Sequence, residues 1–267
     1  IRIGQQPQNV PFAIAERETN ISIQIWKQYY DQMAIFIESP DGSIRQIERI
    51  AGSSRQYDMG NNRLLVYYGE PTPYTVSQEI YIEWITKPGQ EFLTEGIWNI
   101  LFIPEKILYG KVNLWLPGIE AVGMSTGFLQ PTPDTTITIP ASARGILSVG
   151  AYQAKQDIPA VFSGRGFTTD ERIVPTLLAP GVGVITTVPG GGYDSRTGTS
   201  IAAPFVTGSA ALLMEWGIVQ GNDPYLYGEK IKAYLIRGCR PLPGFLEVPN
   251  PQTGWGALCL ADSIPTT

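Results

Sequence analysis

Histidine is missing from all 267 residues of the chain. Imidazole is the commonest general base near neutral pH and the commonest metal ligand, so this chain lacks both tools by itself. Cysteine is almost as scarce, with only Cys239 and Cys259. Two thiols exclude a disulfide-dense scaffold and a cysteine-rich metal centre, and leave the redox compartment open. A bridge between them would close a loop of about twenty residues; two reduced, mostly buried thiols are the favoured reading. Charged side chains make up 16% of the chain, with a formal net charge of -5 and no basic cluster. That composition argues against a nucleic-acid surface. No apolar run approaches the length of a membrane span, and no membrane partner is expected. No clustered acidic loop of the calcium-binding kind is visible either. The chain begins at Ile1, without methionine or a signal-like segment, and reads as a fragment or a processed product.

What the chain does have is enough apolar material for ordinary cores, 43% of its residues. Residues 1–118 read as an all-β unit. Alternation is plain in Ile21–Trp26 and in Glu79–Ile85, the mark of strands buried on one face. Further strands are expected at Met33–Ile37, Ile44–Ile47, Leu64–Tyr68, Gly96–Ile103 and Lys111–Leu116, separated by turns such as Pro40-Asp41-Gly42 and Gly60-Asn61-Asn62. About eight short strands without helical period suggest a two-sheet sandwich of the jelly-roll kind. Trp26, Trp84, Trp98 and Trp115 fall inside these strands. Core packing is the expected role for all four; stacking on a sugar is the alternative.

Residues 119–134 are rich in Gly, Pro and Thr, have no period, and read as a linker. From 135 to 267 the pattern changes to α/β. Thr135–Pro140 and Gly145–Ala151 are expected strands, with Val161-Phe162 as a short third. Leu177–Gly181 and Val184-Ile185 lead to a glycine-rich loop, Pro189 to Thr197, which is not expected to hold a regular element. After it, Ile201, Ala202, Val206, Ala210, Leu213 and Met214 recur at helical spacing until Gly217, with Pro204 placed in the first turn. A second helix is expected from the Asp223-Pro224 start to Gly238, with Leu226, Ile231, Tyr234 and Leu235 on its buried face.

Ser200 therefore stands at a helix start, where unpaired backbone N–H groups hold its oxygen and favour negative charge. Such a serine serves as a cap or as a nucleophile, and Gly-Thr-Ser alone does not decide between them. The longer string Gly198-Thr199-Ser200-Ile201-Ala202-Ala203-Pro204, with its alanine-rich helix, resembles the nucleophile motif of the subtilisin-like serine proteases. Gly145 to Ala151, the Phe162–Gly166 turn and Leu178–Ile185 resemble later segments of that family in the same order, and Gly254–Ser263 its closing segment. The fold class implied is an α/β subtilisin-like catalytic-domain fragment, a parallel sheet with helices, joined to the jelly-roll sandwich.

The resemblance implies a serine endopeptidase with Ser200 as nucleophile and Gly198 and Thr199 supporting the oxyanion site. It also implies an aspartate, a histidine and an oxyanion asparagine ahead of the serine. The 199 residues before Ser200 contain no matching segment. The missing N-terminal part of the same protease is thus an expected partner, beside a protein or peptide substrate. Phe205 stands where the family usually carries a non-catalytic histidine. Asp194 and Arg196 read as a solvated pair, and Lys230 and Lys232 as poor candidates for a Ser-Lys dyad. No cofactor is implied; calcium has a structural role among subtilases, but no ligand set is assignable here. A sandwich inserted late in the catalytic domain resembles clostridial subtilases of the spore-germination type, which points to a spore-associated or extracellular place in a bacterium. The alternatives are an inactive pseudoprotease kept as an interaction scaffold and a sedolisin-like enzyme, whose acidic helix should stand where the sandwich is.

Overall fold

A computed structural model describes residues 1–118 and 121–265. Contacts divide the chain into two compact units, Ile1–Pro131 and Thr132–Thr267.

Strict alternation builds the first unit. In β2 (Asn20–Gln28) Ile21, Ile23 and Ile25 are buried while Asn20 and Gln24 are exposed. The same period governs β3 (Gln32–Glu38), β6 (Asn62–Tyr68), β7 (Ser77–Thr86) and β8 (Gly96–Lys106). The remaining strands are β1 (Gln8–Ile14), β4 (Ile44–Ile47), β5 (Ser53–Met59), β9 (Asn113–Trp115) and β10 (Gly127–Phe128). All pair antiparallel, in two sheets ordered β10-β1-β8-β3-β4 and β5-β6-β7-β2-β9. Sequence reading misses β1, whose first residues are polar, and β5, which is polar nearly throughout because it is an edge strand. Residues 127 and 128, assigned to the linker, instead add β10 to the first sheet through Phe12↔Phe128 and Ala13↔Gly127.

The sheets share one apolar core. Trp84 of β7 packs edge-on against Phe12 of β1 at 5.2 Å and Trp98 of β8 at 6.1 Å between ring centroids, so the aromatic stack ties one sheet to the other. Such pairs contribute about 0.5–1.5 kcal/mol each beyond area burial. Trp98 also donates its indole N–H to the Thr94 carbonyl at 3.1 Å. Trp26 and Trp115 depart from the expectation of core burial. They occupy outward positions of the alternation and are half-buried, Trp26 between the buried Ile25 and Lys27.

One buried charge fixes the loops at the end of this sandwich. Asp31, fully enclosed, accepts N–H bonds from Leu108 (2.7 Å), Tyr109 (3.0 Å) and Gly110 (2.8 Å). Lys27 Nζ donates to the Asp31 carbonyl at 2.9 Å and is held down to about 8 by burial, against the pull of Asp31. Burial alone would raise the Asp31 pKa, but the three amides and Lys27 outweigh it and hold the carboxyl below its ordinary value. A depressed carboxyl pKa contributes stability that is present above the unfolded value of about 4 and is lost as pH falls through the folded value. Asp31→Asn is expected to lower the stability of this unit by about 2 kcal/mol at neutral pH and to flatten its loss below about pH 4. Urea midpoints across pH 2 to 7 measure both; an Asn variant with unchanged acid dependence would contradict the assignment.

The second unit carries less regular structure. Its three-stranded sheet runs β12-β11-β13, with β11 (Val149–Gln153), β12 (Ile158–Pro159) and β13 (Leu177–Pro180). β11 and β13 pair in parallel, and Ala257 adds a single parallel bridge to Leu178. Expected strands at Thr135–Pro140 and at Val161-Phe162 do not form. Thr135 adopts φ +61, and Thr135 and Thr136 hang their amides on the carbonyls of Gly166 and Arg165 instead. Val161 and Phe162 are exposed in a turn after β12.

A hairpin of β14 (Val184–Thr187) and β15 (Tyr193–Arg196) follows, contrary to the reading of 189–197 as irregular throughout. Gly190, Gly191 and Gly192 take φ of +86, +92 and +92, which turns the chain back so that Tyr193–Arg196 can pair with β14. Helix α1 (Thr199–Met214) runs on without a break into a π turn, Glu215–Val219, past the expected stop at Gly217. This 21-residue stretch, Thr199–Val219, is long and apolar enough to cross a membrane by length and composition, a correction to the sequence reading. Helix α2 (Glu229–Arg237) begins after Gly228, not at Asp223. Asp223 is drawn off the cap by Lys230 Nζ and Tyr234 Oη, which both donate to its carboxylate. A short α3 (Leu260–Ser263) closes the unit.

Candidate active site

Ser200 is the second residue of α1, whose N-cap is Gly198. No side-chain cap bond is made there, and the Ser200 hydroxyl has no hydrogen bond among the described residues, contrary to the expectation that backbone N–H groups hold it. Its side chain is neither a cap nor a core filler, since the residue is exposed. Thr199 is half-buried, and its hydroxyl is likewise unengaged among the described residues. The amides of Thr199 and Ser200 have no acceptor there either, as expected for the first turn of a helix. No acidic residue lies in that turn to compensate the positive end of the helix dipole.

Pro204 is the sixth residue of α1, beyond the first turn where it was placed. Having no N–H, it leaves the Ser200 carbonyl without its i+4 donor.

Backbone bonds on both sides position the serine. Gly198 donates to the Gly181 carbonyl at 2.8 Å, and its own carbonyl accepts from Ile201 (3.1 Å) and Ala202 (3.3 Å), closing the first turn. Gly181 in turn donates to Tyr152 O of β11 at 3.0 Å. The approach is close: a Cβ on Gly181 would lie 2.6 Å from Ala151 Cβ, 2.9 Å from Gly198 O and 3.3 Å from Ala202 Cβ. Below, Ala202, Val206 and Leu213 of α1 bury against Ala151, Leu177 and Ala179 of the sheet.

Among the described residues no group is bonded to Ser200 that would take its proton. Asp194 and Arg196 pair with each other at 3.1 Å on the surface, as expected. Lys230 is engaged by Asp223 and Lys232 by the Ile146 carbonyl at 2.9 Å. Cys239 and Cys259 are free thiols, and burial pushes the Cys239 thiol up to about 12, far from a reactive thiolate. Among the described residues no three His, Cys, Asp or Glu side chains gather into a metal-binding group.

The Subtilase family model matches residues 121–256, and the chain belongs to that family. A subtilisin-like protease of Coccidioides posadasii is 45% identical over 83 residues, 30% of this chain and 18% of the relative. Subtilisin E of Bacillus subtilis is 38% identical over 93 residues, 33% of this chain and 23% of its own. The structure of the CspB protease of Clostridium perfringens superposes with a TM-score of 0.87 at 33% identity, over 98% of this chain and 54% of that one. The chain thus spans about half the length of that protease and a smaller share of the curated relatives.

The tight seat of Gly181 gives a direct check. Gly181→Ala forces apart α1, β11 and the Gly198 carbonyl, and is expected to cost about 1–3 kcal/mol of stability. Gly208→Ala, where nothing lies within 4 Å of the added Cβ, should be neutral or stabilising. Guanidinium denaturation midpoints of the two variants measure the contrast; equal midpoints would contradict the packing described.

Proposed function

We propose that this chain is the serine-bearing part of a serine endopeptidase. The carrying observation is the uncommitted Ser200 hydroxyl at the positive end of α1, inside the segment that matches the Subtilase family. Ser200 Oγ attacks the carbonyl carbon of a scissile peptide bond. Its proton passes to a histidine, oriented by an aspartate, from a part of the protease N-terminal to this chain. Negative charge on the carbonyl oxygen is met by the free Ser200 amide and by an asparagine from that same part, with Gly198 and the Thr199 hydroxyl in support. Collapse expels the amine, which takes the proton back, and water then hydrolyses the acyl-enzyme.

Two features support an N-terminal partner of this kind. The chain has no histidine and no base bonded to Ser200 among the described residues, and α1 and the π turn after it expose Phe205, Leu212, Ile218 and Val219. Large apolar side chains left exposed along one helix are expected to be covered in a working protein. On this reading the parallel pair of β11 and β13 is one portion of a larger α/β sheet, and the first unit is an inserted jelly roll. Protein or peptide is the substrate, no cofactor takes part in the chemistry, and any calcium is structural. A spore-associated or extracellular bacterial location accords with this reading.

Labelling by a rhodamine fluorophosphonate tests it. The full-length natural protease is expected to be labelled, Ser200→Ala to abolish labelling, and this chain alone to remain unlabelled for want of a base. A folded full-length protein that does not react would overturn the reading and leave an inactive scaffold.

A further inference from the structure

The β14–β15 ladder ends at the pair Val184↔Arg196. The next main-chain step fails because Gly183 has φ +63, outside the extended region that a strand needs. A side chain takes over the missing rung: the Gly183 N–H donates to Thr197 Oγ1 at 2.9 Å. The following link is again main chain, Gly198 N–H to Gly181 O at 2.8 Å. The segment from the hairpin to the serine is therefore fastened to the 181–184 turn at every step, and one of those fastenings is the Thr197 hydroxyl.

Ser200 Oγ has no hydrogen bond of its own among the described residues, so the backbone, which sets where its Cβ stands, is what places it. Thr197 stands three residues ahead of it. Without the hydroxyl, the Gly183 amide loses its acceptor, and between Arg196 and the first turn of α1 only the Gly198–Gly181 bond remains. Reaction rates at a nucleophile fall steeply with misplacement, by as much as about 100-fold for 1 Å.

We propose that Thr197 is a positioning residue for the nucleophile, its hydroxyl fixing the 197–200 segment through Gly183. The proposal rests on the reading of Ser200 as the nucleophile. Its role is distinct from that of Thr199, because Thr197 acts on the backbone and touches no reacting atom.

The test uses the full-length natural protease with Thr197→Val, which keeps the shape and removes the hydroxyl, and Thr197→Ser, which keeps the hydroxyl. The second-order rate of fluorophosphonate labelling at Ser200 is read together with the melting temperature and with deuterium exchange of the Gly183 amide. The Val variant is expected to label about tenfold more slowly and to exchange Gly183 faster, with a melting temperature lowered by no more than about 2–4 °C. The Ser variant is expected to label within about twofold of the parent. A Val variant labelling at the parental rate, while Ser200→Ala stays silent, overturns the role of Thr197 and leaves the nucleophile standing. Equal slowing in Val and Ser variants assigns the effect to side-chain shape and also overturns it. A parent protein that does not label removes both readings together.

Discussion

Helix α1 lies so close to its sheet that Gly181 has no room for a methyl group, and much of the second unit follows from that one contact. Ala151 below, Ala202 above and the Gly198 carbonyl beside it define a seat that only glycine fits. The seat sets the height of α1 over β11 and β13 and fixes Gly198 through its bond to Gly181. Two residues later stands Ser200. Its exposed hydroxyl, unbonded among the described residues, stands on a backbone placed by the packing of small residues beneath it. Interiors packed at this density transmit displacement without absorbing it, so the geometry of the serine is inherited from the sheet.

The first unit is stabilised differently. Its core is large and aromatic, with Trp84 wedged between Phe12 and Trp98 from the opposite sheet. A buried carboxylate, normally a liability, is acceptable at Asp31 because three backbone amides donate to it and the nearby Lys27 charge attracts it. That arrangement fastens the turn after β2 to the loop after β8 by charge-assisted bonds. Such a unit is stiff at its middle through aromatics and at one end through the carboxylate.

Strands with strict alternation were legible in the sequence because half-burial leaves a period of two, and β2, β3, β6, β7 and β8 all show it. Two strands lacking that cause, β5 and β15, were not legible. β5 is an edge with polar residues on both faces, and β15 is exposed throughout and owes its existence to its partner β14. Thr135–Pro140 alternates yet forms no strand: Thr135 takes φ +61, and only the amides of Thr135 and Thr136 bond the Gly166 and Arg165 carbonyls among the described residues. Of the four tryptophans placed in the core, Trp26 could have been separated by counting along β2 from the buried Ile21, Ile23 and Ile25, whereas Trp115 faces outward through its pairing with the exposed Gln24, which no local count reveals. At the site, Gly198, Thr199 and Ser200 were legible as a motif and as a helix start. Thr197 was not, because its role depends on the φ of Gly183, a property of the turn and not of the local pattern.

The length of α1 and its π turn raises a question that physics can narrow. A helix apolar enough to span a bilayer shows apolar residues around its circumference, whereas a surface helix shows a stripe. Here Ala202, Val206 and Leu213 meet the sheet, while Phe205, Leu212, Ile218 and Val219 point elsewhere. A bilayer would have to accommodate Glu215 and a helix already bound on one side to β11 and β13, at the cost of unsealing that core. Protein on the second side needs no such disruption: it adds to the existing packing, and the π turn, with Gly217 pressed against Leu226, already bends the chain back toward its own unit. On the proposed reading, the apolar residues that α1 and the π turn leave exposed are those of a helix set between two protein layers.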